Sequence, residues 1–323
     1  MERILEQIKQ LAAWWADREN RWMSLPCTFA ALFVLLVMVK SCQGIVYSHS
    51  NECKIYRLGY TIDEARSLVA TLSEEQADSL IARQEHDTIA IPLLGMRYFI
   101  AKNFDRYLAY HKADTTGMPL DVIVALVNVG VDRDRETSAV PCDTSKGQLM
   151  LVNGRHYLDE HYKPENLATF NKNCCYEDQK ALSAVVDAFV AMQQGCKEQT
   201  NAHLMVNSAY RSYQDQIATY KRNDKRYVAL PGYSEHQTGL CLDITSLQHP
   251  EKWSFGKSEE GIWMRENGYK YGFILRYPEK QSQIMGYSYE PWHMRYVGVE
   301  TAKRIHDEGI TFDEYYAFYL DKK

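Results

Sequence analysis

His236, Asp243 and His293 are the residues whose types and spacing could do chemistry together in this chain. Two neutral imidazoles and one carboxylate form the donor set that a catalytic zinc uses while keeping a fourth position free for water. Glu290, in Glu290-Pro291-Trp292-His293, supplies a carboxylate beside one of those donors. Zinc can lower the pKa of bound water to about 7. A positioned carboxylate that takes the proton typically adds ~10²- to 10⁴-fold in rate.

The elements that must position these residues are short strands and the turns feeding them. Gly239 to Ile244 reads as an apolar strand in which alternate residues share a face, so Asp243 and Cys241 point one way and Leu242 the other. His236 lies in the turn before it. Tyr289 to Val297 also has strand composition, and even with a bend at Pro291 it keeps Glu290 close to His293. Upstream, Leu204 to Tyr210 reads as a strand, and Ser212 with Asp215 resembles a capping box, which puts Arg211 at a strand-to-helix corner with its side chain aimed outward. A guanidinium there could neutralise an oxyanion or hold a terminal carboxylate through two hydrogen bonds.

Three segments in order, Ser208-Ala209-Tyr210-Arg211-Ser212-Tyr213-Gln214-Asp215-Gln216, Pro231 to Gly239 and Glu290 to His293, resemble the signatures of VanY-type D-alanyl-D-alanine carboxypeptidases. The likeness runs from about Gln148 to about Ala317. It implies a small α+β domain related to hedgehog and lysostaphin-type zinc sites, with a mixed or antiparallel sheet flanked by helices. It implies Zn²⁺ as cofactor, with His236, Asp243 and His293 as ligands and Glu290 as general base. Arg211 would be a site residue, and Ser234 and Gln216 resemble positions used for the substrate carboxylate. The substrate would be the peptide stem of peptidoglycan, losing a terminal D-alanine. An L,D-carboxypeptidase acting on tetrapeptide stems shares the same motifs, and hedgehog-like relatives keep such a site as a non-catalytic, zinc-stabilised binding module. Glu290 argues against the last of these. One departure from the pattern is Cys241, at a position that relatives usually fill with a small residue such as Ala; it reads as a small buried core residue, or as an oxidisable thiol beside the metal.

The remaining histidines, His49, His86, His111, His156, His161, His203, His249 and His306, lack partners at ligand spacing and read as surface or structural residues. His203, just before the strand leading to Arg211, is the substitute if the three-ligand assignment fails. Cysteine usage permits disulfides outside a reducing compartment, and a bridge from Cys174 or Cys175 to Cys196 would staple one helical region. No Cys-x-x-Cys pair points to a second zinc site.

The run Trp22 to Val39, bracketed by Arg21 and Lys40, reaches the ~17 residues a spanning helix requires. No clean cleavage site follows, which favours an uncleaved signal anchor. A slight excess of basic residues before the run orients the N-terminus inside. The expected organisation is a cytoplasmic tail over 1–21, a transmembrane anchor over 22–41, a mainly helical spacer over 42–138 and a zinc carboxypeptidase domain over 139–323, placing catalysis outside the cell membrane. Within the spacer, Thr61/Glu64 and Ser73/Gln76 resemble capping boxes, Phe99 to Tyr110 offers a third helix, and Asp121 to Val131 reads as an apolar strand. In the catalytic part, the apolar face of Leu182, Val185, Val186 and Phe189 marks a helix that Gly195 could end. Strands are expected at about 204–210, 239–244, 271–276 and 289–296, with helices at about 212–226, 259–268, 297–308 and 312–320. A net charge of -5 without a basic run excludes nucleic acid as the expected partner.

Overall fold

The structure is a computed structural model and describes residues 6, 9–10, 24–223 and 228–321; the side chains of 24–32, 42–43, 45 and 136 are outside that description. The expected tail over 1–21 therefore lies almost wholly outside the described residues. The chain divides into two compact units, 1–95 and 96–323.

The first unit is helical: Ser24–His49, Asn51–Arg57, Ile62–Thr71, Glu74–Ala82 and Ala90–Leu94. Thr61 with Glu64 and Ser73 with Gln76 close both expected capping boxes, each satisfying two otherwise orphaned backbone donors. Ile55, Leu68, Leu80 and Leu93 form its buried interior. The long helix Ser24–His49 contains most of the expected anchor, and most of its described apolar side chains, among them Phe33, Leu36, Met38 and Val39, are exposed. Among the described residues, no helix is long and apolar enough to cross a membrane.

The second unit opens with the helices Phe104–Ala113 and Leu120–Asn128, which the expected organisation placed in the spacer. Leu120–Asn128 is a helix and not the strand expected over 121–131. A short continuous apolar run carries no decisive period, and Pro119 at its N-terminal boundary, where the missing N–H costs nothing, favours helix initiation. Four short strands precede the main body: β1 (Val140–Pro141) pairs with β2 (His156–Tyr157), and β3 (Leu167–Thr169) with β4 (Lys180–Leu182).

The main sheet is antiparallel with the order β5-β6-β8-β7, where β5 is Leu204–Ser208, β6 Cys241–Ser246, β7 Phe273–Leu275 and β8 His293–Tyr296. The fold class is thus α+β, as expected. One face of the sheet, with Leu242, Ile244 and Met294, packs with Val185, Phe189 and Met192 of the helix Ser183–Thr200 in the main core. That helix runs through Gly195 and ends at Asn201, which takes the left-handed cap (φ 55°). Gly195 does not terminate it. A Cβ there would meet the Tyr271 hydroxyl at 2.0 Å, so glycine is required for close approach. A second apolar cluster, containing Ile274, Val297, Ile305 and Phe312, joins β7 to the helices Val299–Glu308 and Phe312–Tyr315.

Cys53, Cys142, Cys174, Cys175, Cys196 and Cys241 are all free thiols, so the expected staple to Cys196 is not formed. Cys174 and Cys196 instead face Gln193 and Thr200, polar partners on the same helix.

Candidate active site

The inner face of β6 and β8 carries the site. Asp243 is the direct cross-strand partner of His293, so two candidate donors stand side by side by register alone. His236 comes from the one-turn helix Glu235–Thr238, which Gly239 ends in a left-handed conformation (φ 70°) before the chain enters β6. A register shift between Val206 and Ser208 ends the regular pairing of β5 just before Arg211.

His236 is held from behind by a hydrogen bond, and His293 has a carboxylate behind it at ion-pair distance. His236 uses Nδ1 on the Ala209 carbonyl at 2.6 Å, which leaves Nε2 facing Asp243 Oδ1 at 3.5 Å. His293 presents Nδ1 to the same Oδ1 at 3.1 Å, with Nε2 turned to Glu235 Oε2 at 3.5 Å. Ligands ~2.0–2.1 Å from a tetrahedral zinc lie ~3.3 Å from one another, and both separations from Asp243 Oδ1 match that spacing. Carbonyl and carboxylate partners on the outer nitrogens are the arrangement that orients metal-binding histidines. Asp243 gives its other oxygen to Lys252 Nζ at 2.7 Å, and that ammonium also lies over the Trp292 ring. Burial alone would raise the Asp243 pKa, but the Lys252 and His236 charges outweigh it and hold the carboxyl well below its usual range. Burial disfavours the charged form of His293, yet the anionic groups around it raise its pKa, so protons compete with metal for this ligand.

Glu290 is buried, 7 % exposed, with Oε2 3.8 Å from His293 Nδ1. Desolvation lifts its pKa to about 7, with His293 opposing and Asp243 reinforcing. A carboxyl whose folded pKa lies above its unfolded one contributes stability that is fully present below about 4.5 and is lost as pH rises through about 7. Glu290→Gln keeps the shape without the charge. In chelator, the wild-type chain should therefore lose on the order of 2–3 kcal/mol relative to Glu290→Gln between pH 5 and pH 8. Thermal melts of the two at both pH values check this, and parallel curves would contradict the buried, charge-averse setting of Glu290.

These groups line a cavity of about 500 Å³ that also takes in Asn207, Ser208, Arg211, Trp253, Tyr277 and Tyr287. Arg211 sits at the expected corner, with its backbone N–H on the His236 carbonyl and Nη1 3.4 Å from Ser208 Oγ. Ser234 is buried, lines the cavity and makes no side-chain cap. Gln216 does not line the cavity: its amide donates to the Ala229 carbonyl at 2.8 Å, bracing a residue that does. His203 bonds the Asn173 carbonyl and Gln193, which removes it as a substitute ligand.

Sequence reasoning missed the support beneath the site. Glu235 accepts from Arg276 Nε at 2.8 Å and Arg295 Nη1 at 2.7 Å, and all three are essentially fully buried. Burial alone would raise the Glu235 pKa, but the two guanidinium charges outweigh it and hold the carboxyl well below its usual range. Arg276 also pairs with Asp313, and Arg295 Nη2 donates to the Gln148 and Met150 carbonyls. The available signal was Arg295, which lies two residues after His293 and so on the same inward strand face.

A family model described as VanY, D-alanyl-D-alanine carboxypeptidase, matches residues 178–299, which include every candidate ligand and Glu290. The solved LdcB LD-carboxypeptidase is 35% identical, with a TM-score of 0.52, and the match covers 56% of this chain and 90% of that one. The chain belongs to the VanY family. Among curated relatives, YodJ of Bacillus subtilis (strain 168), a carboxypeptidase by name, is 38% identical over 182 residues, 52% of this chain and 66% of that protein. A D-alanyl-D-alanine carboxypeptidase of Enterococcus faecium is 30% identical over 190 residues, 55% of this chain and 60% of that protein. The chain thus spans less than two thirds of the length of these curated relatives.

Proposed function

We propose that this chain is a zinc-dependent D-alanyl-D-alanine carboxypeptidase that releases the terminal D-alanine of peptidoglycan stem peptides. The observation that carries the reading is the meeting of His236, Asp243 and His293 with the charge-averse Glu290 on one cavity that Arg211 also lines. His236 Nε2, His293 Nδ1 and Asp243 Oδ1 would hold the ion. What zinc supplies when bound is Lewis acidity, making water nucleophilic near neutral pH. Glu290 takes the proton of the attacking water and returns it to the departing amine, a transfer suited to a carboxyl held near neutrality. Arg211 offers a guanidinium to the substrate carboxylate or to the oxyanion of the attacked carbonyl. Ser234 adds a hydroxyl in the same cavity, and Gln216 acts through the segment at Ala229. A non-catalytic binding module would have no use for Glu290.

The likeness to the LdcB LD-carboxypeptidase supports a second reading, removal of D-alanine from tetrapeptide stems. The test offers the zinc-loaded full chain matched muramyl pentapeptide and tetrapeptide, with Glu290→Ala as control, and measures released D-alanine. Release from pentapeptide establishes D,D specificity and release from tetrapeptide the L,D alternative. Zinc uptake without release from either would leave a binding module. The membrane anchor and an extracytoplasmic catalytic domain complete the proposal, supported by the apolar run Phe29 to Val39 and by the location of the expected substrate.

A further inference from the structure

A second cavity, of about 310 Å³, lies in the same unit and shares no lining residue with the cavity at His236 and His293. Three cations, Arg133, Lys146 and Arg155, line it against two carboxylates, Asp143 and Asp321. Asp143 is already engaged: Oδ1 accepts from the backbone N–H and the hydroxyl of Ser145, and Oδ2 stands 3.8 Å from Lys146 Nζ. Arg155 lacks a comparable partner. Its Nε is buried without a hydrogen bond, and its Nη2 reaches the Arg133 carbonyl only at 3.4 Å, beyond the usual range. The carboxylates whose charge favours this guanidinium, Asp313 and Asp132, are held by other groups: Asp313 by Arg276 and Asn153, and Asp132 by Arg106, whose Nε donates at 2.8 Å. Burial, joined by the charges of Arg135 and Arg133, therefore pushes the Arg155 pKa below its ordinary value. A partly buried guanidinium left under-neutralised on a cavity wall is complementary to an anion, and its planar fork matches two oxygens of a phosphate or carboxylate.

We propose that this cavity is a second binding site, taking the oxyanion head of a small organic anion, a phosphate monoester or a carboxylate, among Arg155, Arg133 and Lys146. The inference goes beyond the zinc-site reading and does not depend on it. Val140, Pro141 and Tyr316 add apolar surface to the same wall, with Lys146 Nζ 5.6 Å from the centre of the Tyr316 ring. The volume is at the lower end for small-molecule sites, which pair such apolar walls with a few polar groups. An anionic group carried on a short organic body fits this lining better than a bare ion.

The experiment titrates the full chain calorimetrically with glycerol phosphate and, separately, with propionate, beside Arg155→Met, Arg133→Met and Arg211→Met. The expected result is saturable one-to-one uptake of at least one probe, weakened roughly 10- to 100-fold in Arg155→Met and Arg133→Met, the range of a lost charge-assisted hydrogen bond, and unchanged in Arg211→Met. Added salt should weaken it as well. Uptake of glycerol phosphate alone assigns the site to phosphate esters, of propionate alone to carboxylates, and of both to the shared oxyanion. Absence of uptake of either probe overturns the proposal, as does equal uptake by all three variants. Loss in Arg211→Met alone also overturns it, because the anion would then sit in the other cavity. Should Arg155→Met fail to fold, Arg133→Met and Lys146→Met decide the point: undiminished uptake in both overturns the site, and weakening in both supports it.

Discussion

Glu290→Ala should lower kcat by at least ~10²- to 10⁴-fold while zinc content and substrate KM change little. Glu290 lies in the cavity beside His293, yet its carboxylate is not among the three groups whose separations fit one ion. Removing it takes away proton transfer without taking away a ligand. His236→Ala should behave differently, losing metal and turnover together, because no other described side chain replaces its Nε2 opposite Asp243. Metal analysis and steady-state kinetics on the two variants separate the roles. Full activity in Glu290→Ala would remove it as the base, and loss of zinc from that variant would make it a ligand.

Glu235→Ala should destabilise the chain by about 3–5 kcal/mol, because it strands Arg276 and Arg295 in the interior. Arg276 would retain Asp313, and Arg295 would retain two backbone carbonyls, so part of the loss is offset. Glu235 Oε2 is also what stands behind His293 Nε2. Loss of such an orienting carboxylate typically costs 10- to 100-fold in metal affinity. Urea unfolding in chelator reads the first effect, and zinc competition under folding conditions reads the second. An unchanged unfolding midpoint would mean that the buried guanidinium groups find other partners. Glu235→Gln, which keeps the shape and one acceptor, should fall between wild type and Glu235→Ala.

The parts of the fold legible in the sequence were those with a local cause. Capping boxes at Thr61, Ser73 and Ser212 are closed as expected because each is a four-residue affair of side chain and backbone. The strand pattern around Asp243 and His293 was legible because alternation and the turn before it agree. Leu120–Asn128 was not, since a brief all-apolar stretch serves a buried helix as well as a strand. Gly195 was misread because the reason for that glycine is Tyr271, far along the chain. In the site, residue type announced the ionisable groups that line the cavity. The Glu235, Arg276, Arg295 and Asp313 network stayed hidden because buried charge pairing is settled by distant segments, and no spacing rule links 235 to 276 or 313.

The direct pairing of Asp243 with His293 has a mechanical meaning as well. A slip of one residue between β6 and β8 would turn one of these strands over and send its ligand to the opposite face. An ion held by both side chains would therefore act as a register lock on the centre of the sheet, rewarding one alignment and no neighbouring one. Its binding energy would be spent partly on selecting that alignment, so chelation should loosen the β6–β8 seam as well as empty the proposed site.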